Sequence, residues 1–231
     1  MSDDRFAKLF EGGESAVIAE ERKKLVQAKE RWAEEQRLIT GAPDPAKTRR
    51  LPPGQELTGD WPVLDLGTRP LVPLNQWELT VGGAVERPIK WDWETFLAQP
   101  QADVTSDIHC VTLWSRYDNR WTGVLARHLL AVVSPRPTAA HVVFHGHDGY
   151  TTNVRLDQFA QEDVILAHAW QGEPIPRDHG GPMRPVLPQL YFWKSAKWIR
   201  HIAILEKDTP GFWETRGYHN NGDPWKEERY G

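Results

Sequence analysis

The hydrophobic pattern divides the chain into an N-terminal helical segment and a longer region of short strands. Residues 14–39 are rich in Glu, Lys, Arg and Ala, and their apolar positions repeat at heptad spacing. This pattern predicts one amphipathic helix. Residues 41–56 carry Pro and Gly and predict a linker. We therefore assign residues 1–45 to a helical appendage with the start of the linker, and residues 57–231 to the folded domain.

Within the folded domain, short strands and short helices are interleaved without a regular strand–helix–strand rhythm. Strands are predicted where β-branched and aromatic residues alternate with polar ones, and helices where apolar positions cluster on one side. The predicted strands cover residues 77–81, 104–112, 140–145, 151–156, 164–170 and 198–205, and the predicted helices cover 92–99, 123–133 and 157–161. This interleaving indicates an α+β fold. The last residues, 210–231, are expected to wrap the surface.

Composition and charge narrow the classes of function. The net charge of −4 gives no electrostatic basis for binding nucleic acid or an anionic membrane. No run approaches the roughly 18 apolar residues that a membrane span needs, and no apolar export segment follows the N-terminus. The sequence therefore predicts a cytoplasmic protein without a membrane span. Twelve tryptophans and eighteen prolines favour strands joined by ordered loops.

The only cysteine, Cys110, lies near the end of the strand predicted over residues 104–112 and is followed by a polar, aromatic stretch that we expect to be a loop. A thiolate there can ligate a soft metal or act as a nucleophile, and a buried structural cysteine is the third possibility. Neighbours on a strand point to opposite faces, so His109 is not expected to reach the Cys110 sulfur as a base. A zinc site formed with His145 and His147 is a weaker alternative.

Two later stretches carry cations on irregular backbone. Residues 173–184 contain two glycines and three prolines and present His179 and Arg184. Residues 194–198 form a basic, hydroxyl-bearing turn that enters a strand. Cationic donors of this kind suit phosphate or a planar polar ring. Together the two stretches predict an anchor for an anionic cofactor.

The order of these three stretches resembles the molybdopterin-binding domain of the sulfite oxidase superfamily. That superfamily includes the sulfite oxidases and the catalytic subunit of the bacterial methionine sulfoxide reductase. The resemblance covers about residues 57–207. It is carried by Cys-Val-x-x-Trp-Ser at 110–115, Pro-Arg-Asp-His-Gly-x-Pro-x-Arg at 176–184 and Ser-Ala-Lys-Trp at 195–198. The cysteine motif looks most like the reductase branch.

The resemblance implies a sulfite-oxidase-type molybdopterin-binding fold, with mixed sheets and short flanking helices, preceded by the N-terminal helix. It also implies a molybdenum–molybdopterin cofactor whose mononuclear metal is ligated by Cys110. The pterin and phosphate contacts that it implies are Leu64, Asp65, His145, Gly146, His179, Arg184, Ser195, Ala196 and Lys197.

Two departures from the family concern the substrate. His168 takes the place of a tyrosine that lies close to the metal in the sulfite oxidases, and Arg116 is displaced by one position from their sulfite-binding arginine. We expect these two residues to handle protons and orient the substrate. The departures weigh against sulfite as the substrate.

The predicted function is transfer of an oxygen atom or two electrons on a small sulfur- or nitrogen-containing substrate. The sequence shows no haem motif and no flavin fingerprint, so we expect electrons to be exchanged with a separate partner protein. We also expect the protein to be a monomer. One alternative is a non-catalytic pterin-fold module that binds a partner through the N-terminal helix. A cysteine-nucleophile enzyme is the other.

Overall fold

The computed structural model describes residues 50–231 together with Lys23 and Gln27. The amphipathic helix predicted over residues 14–39 lies outside the described residues, apart from these two helical positions, and so does most of the appendage assigned to residues 1–45. The division into appendage and domain stays a prediction. Within the described residues, no helix is long and apolar enough to cross a membrane.

Two mixed β-sheets form the body of the domain. The first contains β1 (Glu56–Leu57), β4 (Gln101–His109), β5 (Trp114–Leu125), β8 (Ile165–Trp170), β9 (Glu173–Pro174) and β10 (Arg184–Val186). The second has the order β3 (Ile89–Asp92), β2 (Glu78–Gly83), β11 (Ile199–Leu205), β6 (His141–Gly146) and β7 (Thr151–Arg155). β1 runs parallel to β5 and β2 runs parallel to β11, whereas the other pairs are antiparallel. This architecture confirms the predicted α+β fold.

Short helices flank the sheets. They are α1 (Trp93–Leu97), α2 (Ala126–Val133) and α3 (Leu156–Phe159), with 3-10 turns at Leu74–Gln76, Arg177–His179, Phe192–Lys194, Glu214–Arg216 and Pro224–Lys226. The Asp92 side chain caps α1 by accepting a hydrogen bond from the Thr95 N–H at 2.8 Å, as its acidic start predicts. Helix α2 buries Ala126, Leu129 and Val133. These three residues are spaced three and four positions apart, so they share one face of the helix, and that face is turned to the core.

One hydrophobic cluster joins the two sheets. It includes Val81 and Phe144 from the second sheet and Val124 and Ile165 from the first, all at most 1% exposed. In β2 the buried positions alternate with half-buried or exposed ones, which is the pattern that predicted this strand. The fold follows from burial of these alternating faces against each other.

The stretch after Cys110 departs from the predicted loop. The strand predicted over residues 104–112 ends at His109 in the structure. Cys110 begins a tight turn, closed by hydrogen bonds from the Leu113 N–H to the Cys110 carbonyl at 3.1 Å and from the Cys110 N–H to the Trp114 carbonyl at 2.8 Å. The chain then continues as the long strand β5. Ser115 and Asn119 on β5 are fully buried, and their side chains are hydrogen-bonded. The polar residues of this stretch therefore do not indicate an exposed loop. The helix predicted over 123–133 accordingly begins only at Ala126.

Candidate functional site

A cavity that is partly open to solvent lies beside the Cys110 turn. Its walls come from the segment ahead of β2, the Cys110 turn, the β6–β7 turn, β10, the segment before β11, and the C-terminal tail. The lining residues are Trp61, Pro62, Leu64, Asp65, Cys110, Val111, Thr112, Trp114, Asp148, Tyr150, Arg184, Phe192, Trp193, Ser195, Ala196, Lys197, Trp198, Trp213 and Tyr218.

Cys110 lies in the wall of this cavity and is 7% exposed. The Thr112 hydroxyl donates a hydrogen bond to its Sγ at 3.1 Å. His109 turns the other way, and its Nδ1 lies 2.8 Å from the Ser115 hydroxyl in a buried contact. As expected for neighbours at the end of a strand, the imidazole has its own partner and the sulfur faces the cavity.

Arg184 is a buried cation in the same cavity. Its Nη1 donates to the His179 carbonyl at 2.7 Å and its Nη2 to the Ser195 carbonyl, while its buried Nε has no hydrogen-bond partner. Burial lowers the pKa of Arg184 to about 9, so it stays charged at neutral pH. No carboxylate in the described part of the chain pairs with it. A buried charge without a counter-charge is costly, which points to an anionic ligand.

The segment Ser195, Ala196 and Lys197 contributes three adjacent residues to the wall. The Ser195 hydroxyl accepts from the Leu187 N–H at 3.0 Å, and Lys197 Nζ donates to the Asp178 carbonyl at 2.5 Å. The Lys197 ammonium is thus a second cation in the wall of the cavity that Arg184 lines.

His179 is next to the cavity wall without lining the space. Its ring stacks on Trp61 with centroids 3.8 Å apart and planes 13° apart. Burial, then the nearby Arg184 and Lys197 charges, lower the pKa of His179 to about 4. The imidazole is therefore neutral at neutral pH and supports Trp61 through stacking.

Two carboxylates complete the polar part of the wall. Burial alone would raise the pKa of Asp65, but hydrogen bonds from the Gly67 N–H at 2.8 Å and from Arg69 at 2.8 Å outweigh it, and the pKa is lowered. Asp148, in the β6–β7 turn, accepts from the Tyr150 N–H at 3.0 Å. These oxygens can accept hydrogen bonds from the N–H groups of a polar ring.

Besides His179, four of the predicted site residues do not line the cavity. His145 lies on the second sheet, with its ring 5.3 Å from that of His201. The adjacent Gly146 packs against cavity residues, because a Cβ there would lie 2.4 Å from an Asp148 oxygen and 2.8 Å from the Lys197 carbonyl oxygen. The other two are Arg116 and His168.

Arg116 and His168 have partners elsewhere. Arg116 donates to the Gly59 carbonyl at 3.2 Å and to Asn119, and its guanidinium lies 4.8 Å from the Trp170 ring centre. His168 Nε2 lies 3.2 Å from the Gln101 amide oxygen, and its ring packs edge-on against Trp93 and Phe96 near α1. Neither side chain is brought together with Cys110.

Aromatic residues form much of the cavity wall, and sequence reasoning missed most of them. Trp61, Tyr150, Trp193, Trp213 and Tyr218 come from parts of the chain far apart in sequence. The high tryptophan count was the available indication, but it could not say which rings would converge. The tail predicted to wrap the surface instead buries Trp213 and Tyr218.

A family model for the oxidoreductase molybdopterin-binding domain matches residues 66–213. The chain belongs to this family. The match confirms the resemblance to the sulfite oxidase superfamily, the predicted molybdopterin cofactor and the assignment as an oxidoreductase. The cavity residues Trp61, Leu64, Asp65 and Tyr218 lie just outside the matched range.

Relatives within the family differ in length. The chain is 44% identical over 182 residues to the uncharacterized oxidoreductase YuiH of Bacillus subtilis, covering 78% of this chain and 92% of that protein. It is 28% identical over 171 residues to the protein-methionine-sulfoxide reductase catalytic subunit MsrP of Gluconobacter oxydans, covering 64% of this chain and 54% of that protein. It thus spans about half the length of MsrP.

The sulfane dehydrogenase SoxCD from Paracoccus pantotrophus shares the fold, with a TM-score of 0.56 at 20% identity. The likeness covers 78% of this chain and 56% of that one. This agreement supports the sulfite-oxidase-type fold.

The cavity residues fit a molybdopterin. The group carries a phosphate, a planar ring and sulfur that binds a soft metal. The unpaired Arg184 Nε and the Lys197 ammonium suit the phosphate, the two carboxylates suit ring N–H groups, and the Cys110 thiol suits the metal. Gly180 brings the backbone close, since a Cβ there would lie 2.9–3.0 Å from Lys197 atoms.

Proposed function

We propose that the protein is a molybdenum enzyme in which Cys110 ligates a mononuclear metal held by molybdopterin. The reaction transfers an oxygen atom or two electrons on a small sulfur- or nitrogen-containing substrate, and a separate redox partner exchanges the electrons. The observation that carries this proposal is that the Cys110 thiol and the unpaired cation Arg184 line one cavity. A soft ligand facing an anion site is the arrangement that such a cofactor requires.

The residues of this chain would bind and orient the cofactor. Arg184 and Lys197 would hold its phosphate end, and Ser195 and Ala196, in the same wall, would contact it. Thr112 donates to the Cys110 sulfur at 3.1 Å, which favours the anionic sulfur that binds a metal. When bound, the cofactor supplies the two-electron chemistry. The aromatic walls exclude water from the space beside Cys110.

The substrate-handling roles predicted for Arg116 and His168 stay predictions. Their partners are Gly59 and Asn119 for Arg116 and Gln101 for His168, so we assign them no step. The family assignment favours an enzyme over a non-catalytic binding module. The cytoplasmic location and the monomeric state also stay predictions.

A substrate screen tied to metal content tests the proposal. The full chain is purified from a molybdenum-replete host and assayed with sulfite, sulfoxides, N-oxides, nitrate and chlorate, using artificial electron donors and acceptors. We expect turnover of at least one sulfur or nitrogen substrate, in proportion to bound molybdenum. A chain grown with tungstate in place of molybdate serves as the control. Protein that carries neither molybdenum nor pterin would contradict the proposal.

A further inference from the structure

Gln55 lies ahead of the matched family range and reaches the turn that carries Cys110. Its Nε2 donates to the Cys110 carbonyl oxygen at 3.1 Å, in a buried contact, and the residue is only 6% exposed. The same carbonyl accepts the Leu113 N–H at 3.1 Å, which closes the turn. The peptide group of the proposed metal ligand is thus held from two directions.

The Gln55 side chain is one end of a buried hydrogen-bonded chain. The Ser115 hydroxyl donates to Gln55 Oε1 at 3.2 Å and lies 2.8 Å from His109 Nδ1. Because the hydroxyl has a single proton and gives it to Gln55, His109 donates from Nδ1; this tautomer is assigned from the network. The donors therefore run in one direction from His109 to the Cys110 carbonyl. Ser115 and His109 are at most 1% exposed, so water does not compete.

The turn itself is held in a conformation that it would not adopt alone. Leu113 has a φ of 71°, in the left-handed region that disfavours a branched side chain. Its carbonyl accepts the Glu56 N–H at 2.7 Å, where β1 joins β5. Gln55 and the adjacent Glu56 therefore fix this turn from the same segment.

We propose that Gln55 is a positioning residue for Cys110. Its side chain holds the Cys110 carbonyl toward the buried row of hydrogen bonds from His109 to Gln55. The orientation of the peptide group is thereby fixed, and with it the direction in which Sγ enters the cavity. This inference rests on the proposed role of Cys110 as the metal ligand. Partners that orient a metal ligand change metal affinity by roughly 10–100-fold.

Two variants of the full chain separate positioning from general stability. Gln55→Leu removes both hydrogen bonds at similar volume. Gln158→Leu is the matched control, because Gln158 accepts from the Arg155 N–H at 3.1 Å and donates to Asn221 at 2.6 Å away from the cavity. Ser115→Ala, which cuts the chain in its middle, serves as a second variant.

Three quantities are measured for each protein. The first is molybdenum per chain, and the second is the visible absorption spectrum normalised to bound molybdenum. The third is the alkylation rate of Cys110 by iodoacetamide in the cofactor-free full chain, where it is the only thiol.

We expect Gln55→Leu to lower molybdenum content on the order of tenfold, to shift the spectrum of the metal that remains, and to change the alkylation rate roughly tenfold, the effect of about one lost hydrogen bond. Ser115→Ala should move the same readouts in the same direction, and Gln158→Leu should match the wild type. Equal spectra and alkylation rates for Gln55→Leu and Gln158→Leu would overturn the role of Gln55. A wild-type chain without molybdenum would overturn the proposed function instead, and the alkylation rates would still decide the role of Gln55.

Discussion

At the scale of single residues, Cys110 and His109 show how far side-chain direction can be predicted. Strand geometry predicts that they point apart, and the structure places the sulfur at the cavity and the imidazole against Ser115. The role proposed for the Cys110 thiol depends on Arg184, which lies more than seventy positions later in the chain. Only the order of the motifs links the two residues in the sequence. Sequence could not place Gln55 or Asp148, because an isolated polar residue carries no sign of its partner.

Arg184→Met tests whether the buried cation serves the cofactor. Methionine keeps much of the aliphatic volume but removes the charge, so cofactor occupancy should fall on the order of tenfold relative to the wild type, the effect of losing one charge-assisted contact. Arg155→Met, which removes an exposed ion pair with Asp157, should retain full occupancy. Molybdenum and pterin content of the purified proteins measure this. Unchanged occupancy in Arg184→Met would show that the cation has only a structural role.

His145 makes stability depend on pH. Burial, followed by the neighbouring His201 and Arg200, lowers the pKa of His145 from 6.5 to about 4 in the folded chain. The unfolded chain therefore binds more protons than the folded one, and stability is lost as the pH falls from about 6.5 towards 4. In urea titrations of the cofactor-free protein, His145→Asn should reduce the loss of unfolding free energy between pH 7 and pH 5 by about 1–2 kcal/mol. An equal loss in both proteins would contradict this.

At the scale of elements, the second sheet was easier to predict than the first. Strand β2 alternates buried side chains with half-buried or exposed ones, β6 carries three consecutive buried residues, and β11 is buried or half-buried throughout. These apolar patterns locate the three strands within one or two residues. Strand β5 carries buried Ser115 and Asn119 and a left-handed Asp118. Polar side chains that are satisfied internally give the same sequence pattern as a loop, so this strand was missed.

The irregular segment of residues 173–184 brings its backbone close to Lys197 at Gly180. Gly180 has a φ of 102°, and a Cβ there would lie 2.9 Å from the Lys197 Cβ; Gly172 has a φ of 87° with nothing within 4 Å. Both glycine-to-alanine variants should lose roughly 1 kcal/mol of stability because of the left-handed backbone. Only Gly180→Ala should also lose cofactor, because it displaces Lys197. Equal cofactor retention in the two variants would show that the backbone at Gly180 does not contribute to cofactor binding.

At the scale of the whole molecule, a buried ion pair joins the C-terminal tail to the Phe192–Lys194 turn, which is hydrogen-bonded to β7 of the second sheet. Lys194 Nζ lies 2.6 Å from a Glu214 carboxylate oxygen, with both side chains at most 1% exposed. The same ammonium donates to the Asn153 carbonyl at 2.8 Å and the Asn220 carbonyl at 2.7 Å. Tail residues that line the cavity, Trp213 among them, are held in place through this contact. Sequence predicted a surface tail because long-range charge pairing leaves no local pattern.

Lys194→Met should therefore destabilise the protein strongly. It leaves the buried Glu214 carboxylate without its counter-charge, and we expect a loss of about 3–5 kcal/mol in unfolding free energy. The exposed pair Lys90–Glu78, at 2.7 Å, provides the control, since Lys90→Met should cost no more than about 1 kcal/mol. Denaturant titrations compare the two. Similar losses would mean that the Lys194 pair contributes no more than a surface pair.

The central claim is that one cysteine, brought to an anion-binding cavity by a strand turn, completes the ligand set of a molybdenum held by molybdopterin. Molybdenum X-ray absorption spectroscopy of the wild-type full chain and of Cys110→Ser tests it most directly. We predict molybdenum in both proteins and one sulfur ligand fewer in the serine variant, with loss of activity. The same number of sulfur ligands in the two proteins would contradict the claim.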